Sequence, residues 1–233
     1  MLASAQPHQT KRAIAYDALR SSIMRCDLRP GQRLIIDEIS RQLGVSQIPV
    51  REALQQLQSE RLVVNVPHIG ATVAPISPSD VTEVFALMEG LESVAVEPAA
   101  ANATLQFLDT LDRMVGEMDI ALEKQDGERW AALNSDFHRL ISAQARMPLL
   151  FDMTQRTLDQ WDRIRRYFNI FSQRVGQAQS QHHQIAAAFR AHDIEELRRL
   201  SRDHNREALK AYVPELRVLV QPESSATSAE VIG

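Results

Sequence analysis

The stretch Leu43-Gly44-Val45-Ser46-Gln47-Ile48-Pro49-Val50-Arg51-Glu52-Ala53-Leu54, with Leu57 and Leu62 beyond it, constrains the fold of this chain more than any other segment. Ahead of it, Ile36, Ile39 and Leu43 recur at helical spacing. Gly44 tolerates the positive φ of a tight turn, and Val45 plugs the angle between two helices. Ser46 is a good N-cap, and Pro49 falls in the first turn of the next helix, where a missing N–H matters little. Val50, Ala53, Leu54 and Leu57 make an inward stripe. Ser46, Gln47, Ile48 and Arg51 are left on the outward, N-terminal part of that helix, the part a helix-turn-helix inserts into a major groove. The pattern predicts a chain that binds DNA.

The surroundings agree. A helix is expected over Ala13 to Met24, then the connection Leu28-Arg-Pro-Gly-Gln-Arg-Leu34, then the two helices. A hairpin wing is expected over Val63 to Val73, with His68-Ile69-Gly70 at its tip. Over residues 11–75 this order, and Gly44 to Leu54 above all, resembles the GntR family of transcription regulators, whose signature reads Gly-Val-Ser-Arg-Thr-Pro-Val-Arg-Glu-Ala-Leu. The resemblance implies a winged helix-turn-helix working as a homodimer on operator DNA, with Arg33, Ser46, Gln47, Ile48, Arg51, His68 and Gly70 at the interface. Gln47 and Ile48 replace the family's Arg and Thr, and Arg61 stands where the family has Gly. Gln reads adenine through its amide, whereas Ile48 has only a thymine methyl or a sugar to touch, so an altered base preference is expected.

The net charge of −4 looks wrong for such a protein until it is divided: residues 1–74 carry +3 and the remainder −7. A basic reading head on an acidic body is the expected asymmetry. The single cysteine, Cys26, excludes an internal disulfide framework and reads as filler after the first helix. No N-terminal apolar h-region and no bilayer-length run is present, so a cytoplasmic protein without membrane contact is expected.

Ala74-Pro-Ile-Ser-Pro78 reads as a linker (76–79), with Ser79 or Asp80 capping the next helix. From 80 to 218 the pattern is helical throughout, with helices expected near 79–101, 104–125, 127–145, 148–171, 174–191 and 193–213. Residues 1–10 and 219–233 read as disordered tails. The fold class is therefore mainly α: a winged helix-turn-helix followed by an all-α antiparallel bundle.

Three of the seven histidines fall on apolar faces of this second half. Trp130, Asn134, His138 and Ile141 share a face beside Phe137; His182 lies with Ile185 and Phe189; His204 lies between Leu200 and Ala208. Each sits three or four residues from apolar neighbours and should point into the bundle. Burying three unpaired imidazoles is costly unless they share a task, and neutral imidazoles converging on a divalent ion satisfy one another. Asn134-Ser-Asp-Phe-His138, Gln181-His182-His-Gln-Ile185 and Arg202-Asp203-His204 resemble the metal-binding elements of the FCD domain, the effector-binding half of FadR-like GntR regulators. The resemblance implies a metal held by Asn134, His138, His182 and His204, with zinc or nickel favoured. It also implies a small organic-acid effector and, by family habit, repression.

Two departures stand out. Asn134 replaces the Asp usual in that motif and brings no charge, which should lower metal affinity. Met88 occupies the place where many relatives carry a pocket-lining Arg, so the cation for a carboxylate effector must come from elsewhere, with Arg163 and Arg166 as candidates. Two other functions use the same three histidines: a metal-dependent hydrolase, and a metal-free small-molecule binding module. An enzyme is not expected, because no general base, P-loop or dinucleotide fingerprint accompanies the histidines and the DNA-reading head would be unexplained.

Overall fold

The computed structural model describes residues 10–169 and 175–220 and divides between Ile76 and Ser77 into two compact units. In the first, α1 (Lys11–Met24) is capped by the Thr10 hydroxyl, which accepts from the Ala13 N–H. α2 (Ile36–Leu43) and α3 (Gln47–Ser59) form the helix-turn-helix. Gly44 stands between them at φ 64°, and the Val45 N–H closes back onto the Ser40 carbonyl. Strands β1 (Val63–Val66) and β2 (Gly70–Val73) pair antiparallel, Val63 opposite Val73 and Val66 opposite Gly70. The sequence did not announce a third extended segment: residues 31–34 lie against the outer edge of β2, with Arg33 bridged to Thr72 and the Leu34 N–H donating to the Ala71 carbonyl. The core of the unit is Ala15, Leu19 and Ile23 of α1, Val50, Ala53, Leu54 and Leu57 of α3, and Leu34, Ile39, Leu62, Val63 and Val73. Arg61 sits at φ 59°, a left-handed position that glycine fills without strain, with its N–H and that of Leu62 terminating α3.

Among its described residues the second unit has six helices: α4 (Pro78–Ala101), α5 (Leu105–Glu123), α6 (Gly127–Gln144), α7 (Pro148–Phe168), α8 (Val175–Ala191) and α9 (Ile194–Val220). Ser77, and not Ser79 or Asp80, is the N-cap of α4. Asp80 is the reciprocal member of a capping box, accepting from the Ser77 N–H. The expected linker is thus largely consumed by the helix start. α9 runs past the expected end at 213, to Val220. The break expected between 171 and 174, and most of the two tails, lie outside the described residues. α4 packs against α9, α7 and α6, α5 against α6 and α8, and α8 against α9. Leu111, Phe137, Phe189 and Leu197 are fully buried at the centre of the main cluster. This mainly α architecture is the one the sequence predicts.

Candidate DNA-reading helix and three-histidine centre

The outward residues of the helix-turn-helix lie where the sequence places them. Ser46, Gln47 and Arg51 are exposed, and Ile48 is 68% exposed. Ser46 holds the N-cap position of α3, yet its side chain makes no capping bond, which leaves the hydroxyl at the surface. Gln47 bridges the two helices: its Nε2 donates to Asp37 Oδ1 at 2.5 Å, and its Oε1 accepts from Arg51 Nη2 at 3.3 Å. Arg33 is exposed on the segment beside β2, and His68, at φ 63°, and Gly70, at φ 95°, form the bend of the wing.

In the helical unit, α6, α8 and α9 bring His138, His182 and His204 together inside the bundle. All three are buried, His182 completely. Each offers a ring nitrogen within 4.8 Å of the others, and the ring centroids lie 4.7–5.7 Å apart. Phe137 and Trp130 stand against the His182 ring at 4.8 and 5.9 Å between centroids, so the centre has apolar walls.

Every imidazole has an oxygen facing its Nδ1. For His204 it is Gln181 Oε1 at 3.0 Å, and Gln181 cannot flip because its Nε2 donates to Glu207 at 3.0 Å. For His182 it is Gln179 Oε1, a longer contact at 3.4 Å. The Gln179 amide is fixed in turn, its Nε2 donating to the Val115 carbonyl and to Asp119, its Oε1 accepting from Trp130 Nε1. For His138 it is the carboxylate of Glu92, on α4, in close contact. His138 Nδ1 and Glu92 Oε1 are both buried and make no hydrogen bond to any other group, so this close contact is the polar contact each has. Acceptors at Nδ1 put the proton on that nitrogen and leave the Nε2 lone pair for another task. At His182 this Nε2 is buried with no hydrogen-bond partner at all. A buried nitrogen so left, beside two further imidazoles, makes a donor set compatible with a divalent metal ion.

The charge state fits that use. Burial, then the neighbouring His204 and His138, holds His182 well below the usual histidine range. Burial, then His138, pushes His204 down to about 4, against the opposing pull of Glu92. Burial on its own would raise the Glu92 carboxyl, but His138, His204 and Asn205 outweigh it and keep the group ionised. Neutral imidazoles are the form that coordinates.

Sequence reasoning missed Glu92. Among the described residues it is the one buried carboxylate, 6% exposed. Its signal was present, since it interrupts the apolar stripe Val81, Phe85, Met88 and Val96 of α4. Asn134 stands one turn before His138, half-buried. Met88 is buried one turn before Glu92. Arg163 is 2% exposed on α7, whereas Arg166 lies 3.7 Å from Glu128, a carboxylate that Arg165 grips with two bonds of 2.8 and 3.1 Å. His183, outside the cluster, is exposed and paired with Asp119 at 2.9 Å.

Comparison with known proteins agrees with both halves. Residues 11–73 match the model of the gntR family of bacterial regulatory proteins, and residues 83–207 that of the FCD domain. The transcriptional regulator McbR of Escherichia coli K12 is 31% identical over 173 residues, 72% of this chain and 77% of McbR. The transcriptional repressor RspR of the same organism is 28% identical over 159 residues, 68% of this chain and 70% of RspR. The solved structure of E. coli McbR/YncC superposes with a TM-score of 0.73 at 26% identity, covering 88% of this chain and 98% of that one. These relatives are transcriptional regulators and not enzymes, which sets the hydrolase alternative aside. With its reading head, its helical body and its relatives in accord, the chain belongs to the GntR family and is a DNA-binding transcriptional regulator carrying an FCD domain.

Proposed function

We propose that the chain is a cytoplasmic, homodimeric repressor whose grip on a pseudo-palindromic operator is set by a small organic acid bound next to a divalent metal in the FCD domain. The observation that carries this reading is the buried His138–His182–His204 cluster with the unpartnered Nε2 of His182. His138, His182 and His204 hold the ion, with the Asn134 amide oxygen as fourth ligand. When bound, the ion supplies a fixed positive charge that attracts a carboxylate. Arg163 and Arg166 add positive charge on α7, and Met88 gives the pocket an apolar wall. Repression follows the character of RspR and the habit of the family. Ser46, Gln47 and Arg51 read base edges in the major groove, Ile48 touches a thymine methyl, and Arg33, His68 and Gly70 meet the backbone or minor groove. An effector switches DNA occupancy only by binding one arrangement of the dimer better than the other; moving an equilibrium from 1:99 to 99:1 needs about 10⁴-fold preference.

The test is selection of genomic fragments by the purified protein, read by sequencing, alongside elemental analysis. The expected outcome is one palindromic motif and about one zinc or nickel per chain, with the genes flanking the motif naming the acids to try as effectors. Motif-free, salt-labile recovery from protein of full metal content would overturn the operator reading. A motif recovered by protein that takes up no metal would overturn the metal reading.

A further inference from the structure

Glu92 is the only member of the centre that comes from α4, the helix that begins directly after the DNA-binding unit. Its Oε1 faces His138 Nδ1. Its Oε2 accepts from Ser201 Oγ at 3.0 Å and from Asn205 Nδ2 at 2.6 Å, both on α9. The Asn205 amide is itself oriented, because its Nδ2 also donates to the Ser201 carbonyl at 3.0 Å. One buried carboxylate thus joins α4, α6 and α9, and the Asn205 amide nitrogen, which can only donate, demands an oxygen at Oε2.

We propose that Glu92 is a positioning residue of the three-histidine centre: it holds the proton of His138 on Nδ1, leaves the Nε2 lone pair for a dication, and provides the buried negative charge that three imidazoles and Asn134 lack. The inference deepens the metal reading above and rests on it for its second half. A buried dication bound only by neutral groups is poorly compensated, and an anion one atom shell away lowers that penalty and raises the basicity of the ligand it holds. Nothing else among the described residues can do this inside the bundle, since the other carboxylates are at least partly exposed. Asp119 and Glu207 act at one further remove, through Gln179 and Gln181.

Glu92→Gln tests the proposal because it preserves shape and inverts one hydrogen bond. Asn205 Nδ2 requires an oxygen at the Oε2 position, so the new amide nitrogen falls opposite His138 Nδ1. His138 Nδ1 must then accept, and the neutral ring keeps its proton on Nε2, where the metal would bind. Ring 15N spectra of the metal-free protein, recorded at the alkaline end of the histidine titrations, read this directly. Zinc titration against a competing chelator reads the consequence. The expected result is an Nδ1–H ring at His138 in the parent protein, an Nε2–H ring in Glu92→Gln, and zinc affinity lowered roughly 10–100-fold, the range for a lost outer-shell partner. An Nε2–H ring at His138 in the parent protein overturns the proposal, with no variant needed. So does Glu92→Gln that folds and binds zinc as tightly as the parent. If the tautomers behave as expected but the parent takes up no zinc, the hold of Glu92 on the ring is upheld while the metal reading of the centre fails.

Discussion

At the scale of single residues, the two halves of the molecule rest on opposite kinds of side chain. Arg51 is an exposed guanidinium whose one hydrogen bond shown, to Gln47, is a long 3.3 Å, so it keeps donors for a base edge. Arg51→Ala should weaken operator binding by about 1–3 kcal/mol, the worth of a good bidentate base contact, and leave the melting temperature unchanged. Fluorescence anisotropy with the selected operator and a scrambled duplex separates that loss from a general loss of DNA affinity. Gly44 is structural. At φ 64°, with no atom within 4 Å of the place a Cβ would take, its only demand is backbone conformation. Gly44→Ala should therefore destabilise the DNA-binding unit by about 1 kcal/mol, seen as a lower urea midpoint with unchanged slope.

At the scale of elements, three helices each deliver one histidine, and the acceptors that orient those rings come from α4 and α8. Two of those acceptors, Gln179 and Gln181, are within three residues of His182 on α8. The histidines were legible as a set because each repeats the period of its own apolar face. Their orientation was not, since it depends on Glu92, which stands 46 positions before His138 in the chain. His182→Ala should lower metal content to well under one ion per chain and blunt any effector response while the helical content measured by circular dichroism stays constant. Unchanged metal stoichiometry would remove His182 from the ligand set. Helix starts belong to the legible side: the partner of Asp80 is Ser77, three residues ahead, a reciprocal-cap spacing the sequence displays, although Ser79 or Asp80 is the cap expected.

At the scale of the whole molecule, charge and protonation set the conditions under which it works. A unit carrying +3, doubled in the proposed homodimer, makes binding strongly electrostatic, so operator affinity should fall on the order of 10³-fold between 50 and 200 mM salt. Acid should act on the other unit. An unfolded chain protonates His204 near 6.5, the folded one only near 4, so in that window unfolding takes up a proton and stability falls as the pH falls. For metal-free protein the loss from His204 is on the order of 3 kcal/mol, at about 1.4 kcal/mol per pH unit of displacement. His182, also lowered, adds to it with the same sign, and Glu92, held below the usual carboxylate range, adds a further loss only at more acid pH, below about 4.5. Urea midpoints across pH 4–7 measure it, and a flat profile would show that His182 and His204 are not buried neutral.

What the sequence determined by itself is what short-range physics encodes: helical period, the turn at Gly44, the signature from Gly44 to Leu54, and the inward aspect of His138, His182 and His204. These depend on a residue's neighbours three or four places away, which one chain displays openly. The tertiary structure alone decided which rings meet, which nitrogen of each is left over, and that a single buried carboxylate stands behind them. Hydrogen bonds between distant helices leave no periodic trace in a sequence. They are fixed by packing, where each buried polar atom takes the partner that the fold brings within reach.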